Sequence, residues 1–138
     1  MSCWEYCLPY DRKMHDALHD QGFTITYHTC GGTFGIEEYI VENGCDASET
    51  LAPLSVGGNQ EPWDFREKVG NRIACIGGID QFSTLTSGSE EDIRQMTRKL
   101  FETVGADGGY ICSASDHFFD TPPGNLSVLA QAARECIY

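Results

Sequence analysis

A histidine and a cysteine two positions apart, His28 and Cys30, carry the most distinctive chemistry in this sequence. They lie in Thr24-Ile25-Thr26-Tyr27-His28-Thr29-Cys30-Gly31-Gly32, which begins as a β-branched, aromatic strand and ends in two glycines. Side chains alternate along a strand, so residues two apart leave the same face. Imidazole and thiolate together suit Zn²⁺, and a catalytic zinc keeps three protein ligands and one open position. Cys112, on the fourth candidate strand, is the available third ligand. The other reading is a core histidine satisfied by a carbonyl, beside a buried free thiol. The residue pattern leaves both open.

Two more groups carry polar chemistry. Asp116 and His117 are adjacent, and His117 is expected to act as an acid or base near neutral pH, oriented by the carboxylate. The bland alternative is a solvated loop in which Asp116 caps a turn. Asp80 closes Gly77-Gly78-Ile79-Asp80. There the glycines would let backbone approach a ligand and the carboxylate would bind a cation or a hydroxyl. A turn followed by a helix cap explains the same residues. Glu49, near the end of the second strand, either completes a metal site or faces solvent. Arg66, Arg72 and Arg94 fall on helices or at a strand start and read as surface charges.

The elements that must position these groups follow from periodicity and punctuation. Cys3 to Asp20 is expected as a helix interrupted by Pro9, with Tyr6, Tyr10, Met14, Ala17 and Leu18 at helical spacing. Strands are expected over residues 23–28, 45–51, 71–76 and 109–113. Helices are expected over 35–42, 63–69, from Ser89 to about Val104, and to about Glu135. Ser89 and Asp92 resemble a capping box, and Asn125 is placed to cap the last helix. The order is one helix, then β-α four times, each unit about 35 residues long. Alternation of this kind implies a parallel sheet with right-handed crossovers.

Such a chain is either a small doubly wound domain or half of an eight-stranded barrel. Polar or glycine-rich residues follow three of the strands, as at a barrel mouth, and no G-x-G-x-x-G follows the first. The expected fold is therefore α/β, about four parallel strands alternating with helices. Residues 1–138 would form a single partial (β/α) barrel domain.

The totals exclude several classes. At 138 residues with 41% hydrophobic content, the chain is long enough for one core. Its net charge of −12, from 21 acids against 9 bases, argues against nucleic acid and anionic membranes as partners. No apolar run approaches the roughly 20 residues that span a bilayer, and the first residues do not read as a secretory signal. Seven cysteines at irregular spacing read as reduced thiols, which points to the cytoplasm.

Taken together, Tyr27-His28-Thr29-Cys30-Gly31-Gly32, Gly77-Gly78-Ile79-Asp80-Gln81-Phe82, Gly108-Gly109-Tyr110-Ile111 and Pro122-Pro123-Gly124-Asn125-Leu126 resemble the uroporphyrinogen decarboxylase superfamily. Ala132-Ala133-Arg134-Glu135-Cys136-Ile137-Tyr138 is similar to that family's last helix. The resemblance is to the C-terminal half of a TIM barrel, strands five to eight, with Met1 in the helix before strand five. It implies two chemistries. Decarboxylases of the family strip carboxyls from a tetrapyrrole without a cofactor. Their essential Asp and Arg residues belong to the N-terminal half, whereas His117 lies close to a His of that site. The first functional expectation is such a carboxy-lyase of porphyrin biosynthesis, inactive as a fragment. In it His117 and Asp116 would be catalytic, and Asp80, Gly78 and Tyr110 would contact substrate.

The related cobamide-dependent methyltransferases hold zinc with a His-x-Cys pair and a later Cys, and they act with a corrinoid protein. His28 and Cys30 match that pair, and Cys112 would be the third ligand. Counted back from Asn125, however, the matching position is Ser115. A third expectation is non-enzymatic: a half-barrel that associates with itself or with a missing N-terminal half. Four strands leave two open edges, so the isolated chain is expected to be unstable as a monomer.

Overall fold

The structure is a computed structural model, and it describes residues 3–137. Met1 and Tyr138, both used in the resemblance above, lie outside the described residues. The first expected helix is two helices, α1 (Cys3–Tyr6) and α2 (Leu8–His19). Pro9 falls in the first turn of α2, where a missing N–H leaves no bond unmade, so the break comes before it at Cys7.

Strands β1 (Thr26–His28), β2 (Ala47–Thr50), β3 (Ala74–Ile79) and β4 (Tyr110–Ala114) pair in chain order, all parallel. They are followed in turn by α3 (Glu37–Glu42), α4 (Pro62–Val69), α5 (Glu90–Thr103) and α6 (Pro123–Glu135). A doubly wound sheet reverses its strand order at a switch point, and this one does not. The fold is an arc of a (β/α) barrel whose two edges are β1 and β4.

Register divides the sheet into two faces. Tyr27, Ser48, Cys75 and Tyr110 are partners across all four strands and turn toward the helices. Around them pack Ile40, Phe65, Val69, Ile79, Leu85, Ile93, Leu100 and Val104, all within 1% of complete burial. The next row, His28, Glu49, Ile76 and Ile111, turns the other way. Ile111 there is 56% exposed, because the side of the arc that a closed barrel would fill with side chains is open.

Several local expectations change. Gly77, Gly78 and Ile79, expected as a tight loop, are strand residues of β3 paired with Cys112, Ser113 and Ala114. The glycines mark a close approach of two strands: a Cβ on Gly77 would sit 2.1 Å from the Thr50 carbonyl oxygen. A turn of π-helix, Gln81–Thr86, follows β3 and was not expected. The capping box at Ser89 and Asp92 is present. Asn125 does not cap α6, which starts at Pro123; its Nδ2 donates to the Leu85 carbonyl 2.7 Å away and ties α6 to the π turn.

Arg66 is not a surface charge. It is buried and donates to the carbonyls of Ile73 and Gly108 and to Asn71 Oδ1, joining α4 to the starts of β3 and β4. Arg72 and Arg94 are paired with Glu38 and Glu90 on the outside, as expected. The stripe Tyr6, Tyr10, Met14 and Leu18 faces outward, Tyr10 being 71% exposed. The packed side of α2 instead carries Asp11, whose carboxylate accepts from Tyr27 and Tyr39, and the buried His15. Among the described residues, no helix is long and apolar enough to cross a membrane.

Candidate active site at the strand ends

The end of β1 is locked to β2 before any side chain is considered. Thr29 N donates to Glu49 O at 3.3 Å, and Thr50 Oγ1 donates to Thr29 O at 2.7 Å. This fixes His28 opposite its register partner Glu49, and Glu49 Oε1 lies 2.9 Å from His28 Nδ1. A carboxylate only accepts, so Nδ1 carries the ring proton of the neutral imidazole and Nε2 is left with its lone pair. That Nε2 lies 2.8 Å from Cys30 Sγ. Glu49, His28 and Cys30 therefore stand in line, and all three are accessible: the Glu49 and His28 side chains are 41% and 53% exposed, and Cys30 is exposed.

The end of β4 supplies the opposite wall. His28, Glu49, Ser115, Asp116, His117 and Phe118 line one depression, so the structure brings the two expected polar groups to the same place. Within it Asp116 is a turn residue, its Oδ1 accepting from His117 N at 2.7 Å. The His117 ring is 79% exposed and stacks on Phe119 at 5.1 Å between centroids. Ser115 is buried; its Oγ accepts from Gly78 N and donates to Leu51 O. Phe118 and Phe119 form an exposed aromatic rim that the sequence reading passed over, since neither is periodic with a helix or strand.

Other expected site residues are elsewhere. Cys112 pairs in register with Gly77 and turns toward the helices, away from His28 and Cys30, because strand side chains alternate. Burial there pushes its thiol up to about 11. Tyr110 is buried on the same side, its hydroxyl donating to Gly77 O and its ring edge-on to Phe101. A side chain on Gly78 would point at Leu100 and Pro62, not into the depression.

Asp80 is buried and serves as the N-cap of the π turn, with Oδ1 accepting from Phe82 N and Ser83 N and Oδ2 from Ser83 Oγ. Burial would raise its carboxyl, but hydrogen bonds from Ser55, Ser83 and the backbone outweigh it and hold the group below its ordinary value. A depressed folded value means that the stabilisation is full above the unfolded value, about 3.9, and is lost as pH falls through the folded one. Asp80→Ala is expected to cost about 2 kcal/mol at pH 7, and the gap from the parent should close below about pH 4 in urea titrations. A gap independent of pH would show that the carboxylate does not cap.

In the methyltransferase reading, zinc is the expected occupant of the His28–Cys30 pair. Tetrahedral zinc needs donors that converge on one point. Here Glu49 holds the far nitrogen of the imidazole, as a carboxylate does behind a metal-ligating histidine, and leaves Nε2 free, whereas Cys112 faces the other side of the sheet and Ser115 offers a hydroxyl already engaged with backbone. Among the described residues, no three His, Cys, Asp or Glu side chains are disposed to hold a metal ion. Of the three expected ligands, His28 and Cys30 stand together and would hold two positions of a zinc, while Cys112 does not join them. What the line of groups can do is move a proton between sulfur and imidazole, with a carboxylate steadying the ring.

The comparisons with known proteins bear on the family and the fold. A family model described as uroporphyrinogen decarboxylase (URO-D) matches residues 2–136. A methylcobamide:CoM methyltransferase of Methanosarcina acetivorans is 25% identical over 134 residues, covering 97% of this chain and 37% of the relative. A methylated-thiol–coenzyme M methyltransferase of Methanosarcina mazei is 24% identical over 132 residues, covering 95% of this chain and 32% of the relative. A solved structure described as a methyltransferase from Methanosarcina mazei superposes with a TM-score of 0.74 at 18% identity, over 96% of this chain and 36% of that one. That likeness shows the fold. The chain spans about a third of the length of the relatives it matches.

Proposed function

We propose that this chain, which belongs to the uroporphyrinogen decarboxylase (URO-D) family, forms part of a barrel that transfers a methyl group from a corrinoid to a thiol. The observation that carries the reading is the line of Glu49, His28 and Cys30 at the barrel mouth. It is equipment for thiol chemistry, and the similar curated proteins are named for methyl transfer to coenzyme M. The decarboxylase reading is the weaker one. The similar curated proteins match nearly the whole chain and are named as methyltransferases, not as decarboxylases.

A methylcobamide carried by a partner protein would supply an electrophilic methyl group, the cobalt keeping the electron pair of the broken Co–C bond. His28 takes the proton of the acceptor thiol on Nε2, Glu49 holds the ring so that Nε2 faces the mouth, and the sulfur is left free to attack. His117 and the rim of Phe118 and Phe119 would hold the apolar part of the incoming partner. The remaining barrel strands come from another segment or another chain, which pairs with the open edges of β1 and β4 and covers Ile111.

The test follows the absorbance of methylcobalamin with coenzyme M as acceptor. The chain is assayed alone and together with a segment that supplies the other strands. Demethylation is expected from the combination and not from the chain alone. Loss of carboxyl groups from uroporphyrinogen by the same combination, with no demethylation, would overturn the proposal.

A further inference from the structure

We infer that Thr50 is a positioning residue: it holds a left-handed backbone at the end of β2 so that its hydroxyl pins the strand end that carries His28 and Cys30. The inference rests on the reading of His28 and Cys30 as the working site, but not on which reaction or which occupant they serve.

The backbone is the first observation. Among the described residues, Thr50 and Leu51 are the non-glycine residues with positive φ, at +106° and +45°. A β-branched residue in that region is an outlier, whereas glycine adopts it without strain. Such outliers persist where the surroundings over-determine them, and they cluster at functional sites. Both neighbours here can be named. A Cβ on Gly77 would lie 2.1 Å from the Thr50 carbonyl oxygen, so β3 packs directly against that peptide. Leu51 O accepts from Ser115 Oγ at 3.3 Å, which ties the next residue to the end of β4.

The second observation is what the side chain does. The backbone alone favours glycine, so it does not account for a threonine. The Thr50 side chain is buried, and its Oγ1 donates to Thr29 O at 2.7 Å. That carbonyl belongs to the peptide joining Thr29 to Cys30. The bond therefore fixes the peptide plane between the two residues whose side chains leave for the mouth.

The third is how little else holds this tip. β1 has three residues and lies at an edge, paired with β2 on one side only. Past its last residue the ladder adds Thr29 N to Glu49 O at 3.3 Å, a long bond. Gly31 and Gly32 follow and lend no stiffness. The Thr50 hydroxyl is the shorter tie, and Thr50 lines the same depression as His28, Glu49 and His117.

The test compares the parent with Thr50→Ser, Thr50→Val and Thr50→Gly. Serine keeps the hydroxyl. Valine keeps the β-branch and the strain without the hydroxyl, and glycine drops both. Hydrogen exchange at the Thr29 amide, read by NMR, is expected to be about tenfold faster in Thr50→Val and Thr50→Gly, with Thr50→Ser restoring the parent rate. The urea midpoint of Thr50→Gly is expected at or above the parent's, and that of Thr50→Val below it. A looser strand end without a loss of global stability is a result that a purely structural threonine would not give. A lower midpoint for Thr50→Gly, failure to fold included, would overturn the inference by making Thr50 a residue of the fold. Unchanged Thr29 exchange in Thr50→Val, or no rescue by serine, would overturn it by removing the hydroxyl tie. Neither measurement involves methylcobalamin turnover, so this failure and that of the proposed function are read separately.

Discussion

Replacing His28 with alanine is expected to cut methyl transfer by the completed barrel about 100-fold or more, while stability changes by no more than about 0.5 kcal/mol. The two halves of that expectation rest on one fact: the His28 side chain is 53% exposed, so little packing is lost with it. What is lost is the only imidazole whose lone pair is aimed by a carboxylate at a sulfur among the described residues. Glu49→Gln should be the milder change, since an amide oxygen can still accept from Nδ1 but no longer opposes a positive ring. The measurement is the initial rate of methylcobalamin loss set beside the urea midpoint. An activity loss that follows a loss of stability would make His28 a structural residue and remove it from the mechanism.

Gly77→Ala is expected to prevent stable folding. The backbone at Gly77 has φ of +116°, which costs a residue with a Cβ about 1–3 kcal/mol. The added carbon would also lie 2.1 Å from the Thr50 oxygen, a backbone atom that cannot swing aside. Nor can the end of β2 yield easily, because Thr50 and Leu51 are already left-handed at φ of +106° and +45°. The combined penalty exceeds about 3 kcal/mol, a large share of the roughly 5–15 kcal/mol that holds a typical domain. Gly124→Ala is the matched control, since a Cβ there meets nothing within 4 Å. Circular dichroism and urea unfolding of the two variants decide the matter. Equal stability would mean that β2 and β3 do not approach as closely as described.

Much of the architecture is legible in the amino-acid sequence. Four β-α units with polar residues after the strands pointed to a barrel arc, and the sequential parallel order bears that out. The capping box at Ser89 was readable because it is a local device, made and satisfied within four residues. Other readings failed where a local signal had a distant cause. Gly77-Gly78 looked like a turn because glycine marks turns, yet here it makes room for Thr50 from the neighbouring strand. Arg66 looked like a surface charge because arginine usually is one. Its partners at Ile73, Asn71 and Gly108 come together only once β3 and β4 are side by side. Periodicity in α2 identified residues that share a face but not which face is covered, and the stripe of Tyr6, Tyr10, Met14 and Leu18 turned out to be the outer one.

The candidate site divides in the same way. Amino-acid order alone determined that His28 and Cys30 leave one face of a strand at a glycine-rich end, because a strand repeats every two residues. It also determined that the chain carries no thiol at position 115. Only the tertiary structure decided that Glu49 stands behind His28 and Cys112 does not stand beside it. That choice belongs to register: pairing Glu49 with His28 aligns the two across β1 and β2, and pairing Cys112 with Gly77 turns that thiol to the helices. Register is set by hydrogen bonds between strands some 20 residues apart or more in the chain, so no spacing within one strand encodes it.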